Sequence, residues 1–132
     1  MKLVLDSSVL IAAAISRAGV CANLLEDVLT HHELVTSEFI LDELRRKLRG
    51  KFDFPATEIR HLASFLTRIS QQVVPAAVPP GICRDPLDLP VLGTALAGQA
   101  TVLITVDKDL LVLGRFEGID IIKPGEFWQR AV

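Results

Sequence analysis

The chain has 132 residues, half of them hydrophobic and 23% charged, with a formal net charge of −2. This length suits one domain, residues 1–132, with a single buried core. The composition excludes a disordered chain, and the mild acidity excludes the broadly basic domain that usually announces nucleic-acid binding. No stretch approaches the roughly 20 apolar residues that span a bilayer, and the N-terminus lacks the long apolar region of a signal peptide. No membrane partner is expected. Cys21 and Cys83 lack metal-ligand spacing and read as small apolar side chains of a reducing, cytoplasmic compartment.

In chain order, Leu3-Val4-Leu5 is an apolar strand that stops at Asp6. Residues 9–15 form a short buried helix, broken at Arg17-Ala18-Gly19. Cys21, Leu24, Leu25, Val28 and Leu29 recur at helical spacing. Residues 33–36 form a second strand, and Ser37 caps a helix that buries Ile40, Leu41, Leu44 and Leu48 and ends near Gly50. After a loop over 51–55, Ile59, Leu62, Ala63, Leu66 and Ile69 mark another helix. Residues 72–75 read as an edge strand because Pro75 is tolerated there, and 76–84 as a Pro-rich connection. Val91, Leu92, Ala95 and Leu96 mark a helix closed by Gly98. The β-branched run 101–106 is the strongest strand and ends at Asp107. A helical turn over 110–113, a strand over 119–122 and a helix opened by Pro124 complete the chain.

Strands alternating with helices imply a parallel sheet covered on both faces, and continuous apolar strands agree. The expected architecture is a three-layer α/β/α fold with four to five parallel strands. Ligands in such sheets bind at the strands' carboxyl ends, where Asp6 and Asp107 lie. Glu43 borders the apolar face of its helix, and Asp88 lies at a helix start. Carboxylates crowded in one cleft repel each other, and hard oxygen donors suit Mg²⁺ or Mn²⁺. Each acid alone also has a structural reading. Asp85 before Pro86 is a natural cap, Asp88 then suits the helix dipole, Asp107 can cap the next turn, and Glu43 can pair with Lys47. Pro90 would kink a helix running through it.

Read together, these segments resemble the PIN-domain ribonucleases over nearly the whole length. The start from Leu3 to Ile11 is similar to the family's first strand and catalytic Asp. The segment from Ser37 to Leu44 is similar to the one carrying the catalytic Glu. The segment Arg84-Asp85-Pro86-Leu87-Asp88 resembles that of the third acid, and the stretch from Thr101 to Asp109 resembles the fourth strand and its acid. Thr105 takes the usual hydroxyl position. Ser8 stands where many relatives have Asn.

The resemblance implies catalytic and metal-binding roles for Asp6, Glu43, Asp88 and Asp107, supported by Ser8, Thr105 and Asp109. Either Asp107 or Asp109 can be the fourth acid, with Asp107 nearer the strand end. It further implies a Mg²⁺- or Mn²⁺-dependent endoribonuclease, the toxin of a type II toxin–antitoxin pair, with a cognate antitoxin and a homodimer as partners. The basic run Arg45, Arg46, Lys47, Arg49 and Lys51 begins beside Glu43. Arg45, Arg46 and Arg49 are candidates for guiding the RNA backbone, although a solvated helix face gives the same pattern. The alternative function is a catalytically weak PIN domain that binds RNA or protein. A haloacid-dehalogenase phosphatase needs a second Asp where Ser8 stands. A Toprim enzyme needs Glu where Asp6 stands. A response-regulator receiver lacks its acidic pair here. His31, His32 and His61 lack ligand spacing and are expected at the surface.

Overall fold

The computed structural model describes residues 1–16 and 18–130. Its elements in chain order are β1 (Lys2–Leu5), α1 (Ser7–Ile15), α2 (Val20–His31), β2 (Glu33–Thr36), α3 (Glu38–Gly50), α4 (Ala56–Ile69) and β3 (Gln71–Gln72). A 3-10 turn over Pro86–Asp88 leads into α5 (Leu89–Ala97), then β4 (Val102–Ile104), α6 (Lys108–Leu111), β5 (Arg115–Phe116), β6 (Ile119–Ile122) and α7 (Pro124–Arg130). The expected break at 17–19 begins at Arg17, which lies outside the described residues.

The sheet order is β3-β2-β1-β4-β6-β5. The strands β3, β2, β1, β4 and β6 are mutually parallel, and β5 pairs antiparallel with β6. The five parallel strands agree with the four to five expected, and β5 adds a sixth, antiparallel strand. The extra strand is a hairpin arm. Glu117 (φ 50°) and Gly118 (φ 80°) form a two-residue turn with both φ values positive, the arrangement whose twist suits a tight hairpin.

The connections step one way from β1 through β2 to β3 and the other way from β3 through β4 to β6, so the right-handed crossover rule assigns α1 to α4 to one face and α5 and α6 to the other. α1 packs on α2 and α3, α3 packs on α4, and α7 packs on α2. The core runs through both layers. Leu3, Val4, Val35, Leu103 and Ile104 in the sheet meet Val9, Leu24, Leu41, Leu44 and Leu92 from the helices, all essentially inaccessible.

Caps set several boundaries. Asp6 caps α1 two residues earlier than apolar periodicity suggested, its carboxylate accepting from the Ser7 amide. Ser37 caps α3 by accepting from the Ile40 amide at 3.4 Å, and its hydroxyl meets the Thr94 hydroxyl at 2.8 Å. Pro90 falls in the first turn of α5. First-turn amides have no helical partner, so the expected kink does not arise.

β3 covers only two residues because the chain soon leaves β2. Val73 still donates to the Thr36 carbonyl, but by Ala76 the chain donates to the Gly93 carbonyl of α5. That approach is possible because residue 93 is glycine. A Cβ there would overlap the Ala76 carbonyl oxygen.

Candidate functional site

Sheet order reverses direction at β1. The chain leaves β1 for β2 on one side and returns through α5 to β4 on the other. The crevice at the carboxyl ends of β1 and β4 is therefore the natural ligand position. Leu5 pairs with Ile104 in register, so Asp6 and Thr105 leave the sheet side by side. The Asp6 amide donates to the Ile104 carbonyl at 3.0 Å.

Asp6 is buried, and its carboxylate is held from three directions. The Ser7 amide donates to Oδ1 at 2.8 Å, while the Thr105 and Ser8 hydroxyls donate to Oδ2 at 2.7 and 3.3 Å. Thr105 Oγ1 in turn accepts from the Asp107 amide at 3.0 Å, which ties the two strand ends together. Burial pushes the Asp6 carboxyl above the usual range, against the Thr105 hydrogen bond, and the Glu43 charge pushes the same way.

Glu43 joins through Ser7, whose hydroxyl donates to its carboxylate. Lys47 Nζ lies 3.8 Å from the same oxygen. Ser7 is a site residue that sequence reasoning passed over. Its only signal was its place directly after the strand-end acid.

Asp88, Asp107 and Asp109 form the tightest group, each offering a carboxylate oxygen within 4.8 Å of the others. Asp107 also caps α6 by accepting from the Asp109 amide at 2.9 Å, so the capping role is met by a residue that also stands in the trio. Asp85 keeps the structural reading, accepting from the Leu87 amide to start the 3-10 turn. That turn carries Asp88 into the crevice. Asp88 is 8% exposed, and its Oδ2 is buried with no hydrogen-bond partner. Its carboxyl is pushed up to about 7, first by burial, then by the charge and contact of Asp107, then by the charges of Asp85 and Asp6.

A buried carboxylate oxygen without a donor is costly and is relieved by a proton, as the raised Asp88 carboxyl shows, or by a cation. Oxygens shared by a hexacoordinate Mg²⁺ at 2.0–2.1 Å stand about 2.9–4.2 Å apart, which this trio can meet. The donor set is oxygen only, so it fits a hard divalent cation. The tight trio contains Asp109 rather than Glu43. Glu43 adjoins Asp6, and Asp6 is near enough for its charge to act on Asp88.

The arginines of α3 divide. Arg45 pairs with Glu38 at 2.6 Å and Arg46 with Asp42 at 3.1 Å. Arg45 and Arg49, with Ala56, Ile59 and Arg60, line a groove of about 250 Å³ between α3 and α4. Lys47 is the basic residue of the run that meets the acids. At the opposite rim, Arg84 Nε lies 3.6 Å from Asp109. Cys83 is buried nearby, and burial together with the surrounding aspartates holds its thiol up. Both cysteines are free. His31 and His61 are exposed as expected. His32 is half-buried, because its ring packs edge-on against Phe127 at 5.5 Å.

These features define an α/β/α domain with a cluster of carboxylates at the switch point of a largely parallel sheet. The family model for the PIN domain matches residues 2–109, and the chain belongs to the PIN-domain family. None of the curated proteins compared matches the chain. Among solved structures the chain is similar to VapBC2 from Rickettsia felis bound to a DNA fragment from its promoter, at 14% identity and TM-score 0.64 over 93% of this chain and 98% of that one. It is also similar to VapBC-1 from nontypeable Haemophilus influenzae, at 19% identity and TM-score 0.63 over 95% and 99%. A third likeness is to DNA-bound VapBC from Salmonella typhimurium, at 14% identity and TM-score 0.62 over 94% and 98%. At these identities the likeness is one of fold.

Proposed function

We propose that the chain is a metal-dependent endoribonuclease acting in the cytoplasm as the toxin of a toxin–antitoxin pair. The observation that carries the catalytic part is the Asp88–Asp107–Asp109 trio, with its buried, unpartnered Asp88 oxygen. Asp88, Asp107 and Asp109 would hold Mg²⁺ or Mn²⁺, with Asp6 beside them. A bound ion would supply Lewis acidity for a phosphoryl oxygen and ease deprotonation of water. Thr105, Ser7 and Ser8 fix the Asp6 carboxylate, and Glu43 accepts a proton from the water that displaces the RNA 3′ or 5′ oxygen.

Family membership supports nuclease chemistry, and fold likeness to VapBC structures supports an antitoxin partner. Among the described residues no single helix is long and apolar enough to cross a membrane. The partly apolar faces of α2 and α4, where Val20, Phe65 and Ile69 stay exposed, are the surfaces proposed for antitoxin binding and self-association.

The test is cleavage of a defined RNA by purified protein with Mn²⁺ or Mg²⁺, with and without EDTA, beside an Asp88→Ala variant. Cleavage by the parent that EDTA stops and the variant lacks supports the reading. A parent that binds RNA but never cuts it overturns the enzyme in favour of a binding module. Expression of the chain alone, then with its neighbouring small open reading frame, tests the toxin role. Growth unaffected in both cases removes it.

A further inference from the structure

The acidic crevice has a difficulty that its own chemistry raises. Glu43, Asp6, Asp88, Asp107 and Asp109 form a continuous negative strip, and one divalent cation falls short of neutralising it. A polyanion approaching that strip is repelled.

Two cations stand at its ends. Lys47 meets Glu43 at 3.8 Å from the rigid helix α3, and Arg84 meets Asp109 at 3.6 Å from the connection that precedes the Asp88 turn. Neither contact is a close hydrogen bond, and both side chains reach water, Lys47 at 46% and Arg84 at 87% exposure. Both can therefore swing onto a ligand without disturbing the acids. Of the other basic residues of α3, Arg46 lies about 60° round the helix from Glu43 but is paired with Asp42 at 3.1 Å. Lys47 follows Glu43 by one helical turn, whereas Arg49 and Arg45 lie roughly 120° and 160° round the helix and face the α4 groove.

We infer that Lys47 and Arg84 are substrate-positioning residues, gripping RNA backbone phosphates on either side of the phosphodiester held at the acids. The inference rests on the ribonuclease reading. It assigns RNA contact to Lys47 and Arg84 in place of Arg45, Arg46 and Arg49. Because phosphate contacts fix register without reading bases, the pair sets where the strand lies and leaves sequence preference to other groups.

The experiment compares Lys47→Ala, Arg84→Ala, the conservative Lys47→Arg and Arg84→Lys, and Arg68→Ala as an exposed control at the end of α4. Steady-state cleavage of a single-stranded oligoribonucleotide should show KM raised about tenfold by each alanine, with kcat nearly unchanged. The conservative variants should recover most of it, and Arg68→Ala should match the parent. Equilibrium binding of the same fluorescein-labelled RNA is measured in an Asp6→Asn background with Mg²⁺. Each alanine there should lower the slope of log K against log salt by about 0.7. Unchanged KM and salt slope, or a loss in kcat alone, overturns the inference while leaving the nuclease reading intact. A parent that does not cleave overturns the nuclease reading, and the binding arm then decides this inference by itself. Absence of binding overturns both.

Discussion

Asp6 shows how one side chain serves folding and chemistry together. It caps α1 through the Ser7 amide and, across the sheet, receives the Thr105 hydroxyl that also holds the Asp107 amide. Asp6→Asn keeps the size of the side chain but has one acceptor oxygen where the carboxylate uses two. With the oxygen kept toward the Ser7 amide, the Thr105 and Ser8 hydroxyls must turn to accept from the new NH2, and the fold should persist. The metal-free variant should melt no lower than the parent, because a buried charge facing Glu43 is gone. Its metal-dependent RNA cleavage should fall to background. A variant that cleaves at the parental rate would remove Asp6 from the reaction.

Asp88 gives the pH dependence. Its folded pKa of about 7 lies above the ordinary aspartate value of 3.8. Between these values the folded state binds more protons than the unfolded state, so stability falls as pH rises through that window. Metal-free protein should therefore be most stable near pH 4 in this respect, lose stability up to about pH 7 and then level. Melting temperatures of parent and Asp88→Asn over pH 4–8 check this. An Asn variant with the same pH profile would refute the assignment.

Elements position the site by caps and close approaches. Asp88 reaches the crevice because α5 is anchored against the chain after β3, where Ala76 donates to the Gly93 carbonyl. Gly93→Ala would drive a methyl group into the Ala76 backbone oxygen, and backbone cannot rotate aside as a side chain can. The expected cost is about 1–3 kcal/mol, read by urea denaturation, with weaker metal binding because α5 must shift. If Gly93→Ala is as stable and binds metal as tightly as the parent, this packing does not position Asp88. α3 shows the other elemental control, rotational phase. Its apolar face seats Ile40, Leu41, Leu44 and Leu48, and that seating turns Glu43 and Lys47 toward the crevice while sending Arg45 and Arg49 toward α4.

At the scale of the whole molecule, the crevice joins segments from the start, middle and end of the chain, so a ligand bound there couples to global unfolding. Metal that binds only the folded protein should stabilise it by about 2.7 kcal/mol at a hundredfold excess over Kd. That corresponds to roughly 3–5 °C in Tm per kcal/mol for a domain of this size. Thermal scans with Mn²⁺ or Mg²⁺ should show this rise, and EDTA should reverse it. Asp107→Asn combined with Asp109→Asn should abolish the shift. A shift that survives that pair would put the ion elsewhere.

Local chemistry made much of this molecule legible. Apolar runs ended by acids located β1 and β4, helical spacing located α2 to α5, and the capping residues Ser37, Asp85 and Asp107 can be recognised from their neighbours alone. Strand–helix alternation was enough for a covered parallel sheet, and hence for acids gathered at one edge. The arm β5 was hidden because two residues with a Glu-Gly turn carry almost no periodic signal. The grouping of acids was hidden for a deeper reason. Whether Glu43 or Asp109 stands within ligand distance of Asp88 depends on the register of β1 with β4, the rotation of α3 and the entry of the 3-10 turn. Each is fixed by packing between segments far apart in the chain. Which residues carry charge is a property of the sequence, but which charges meet is decided by tertiary packing.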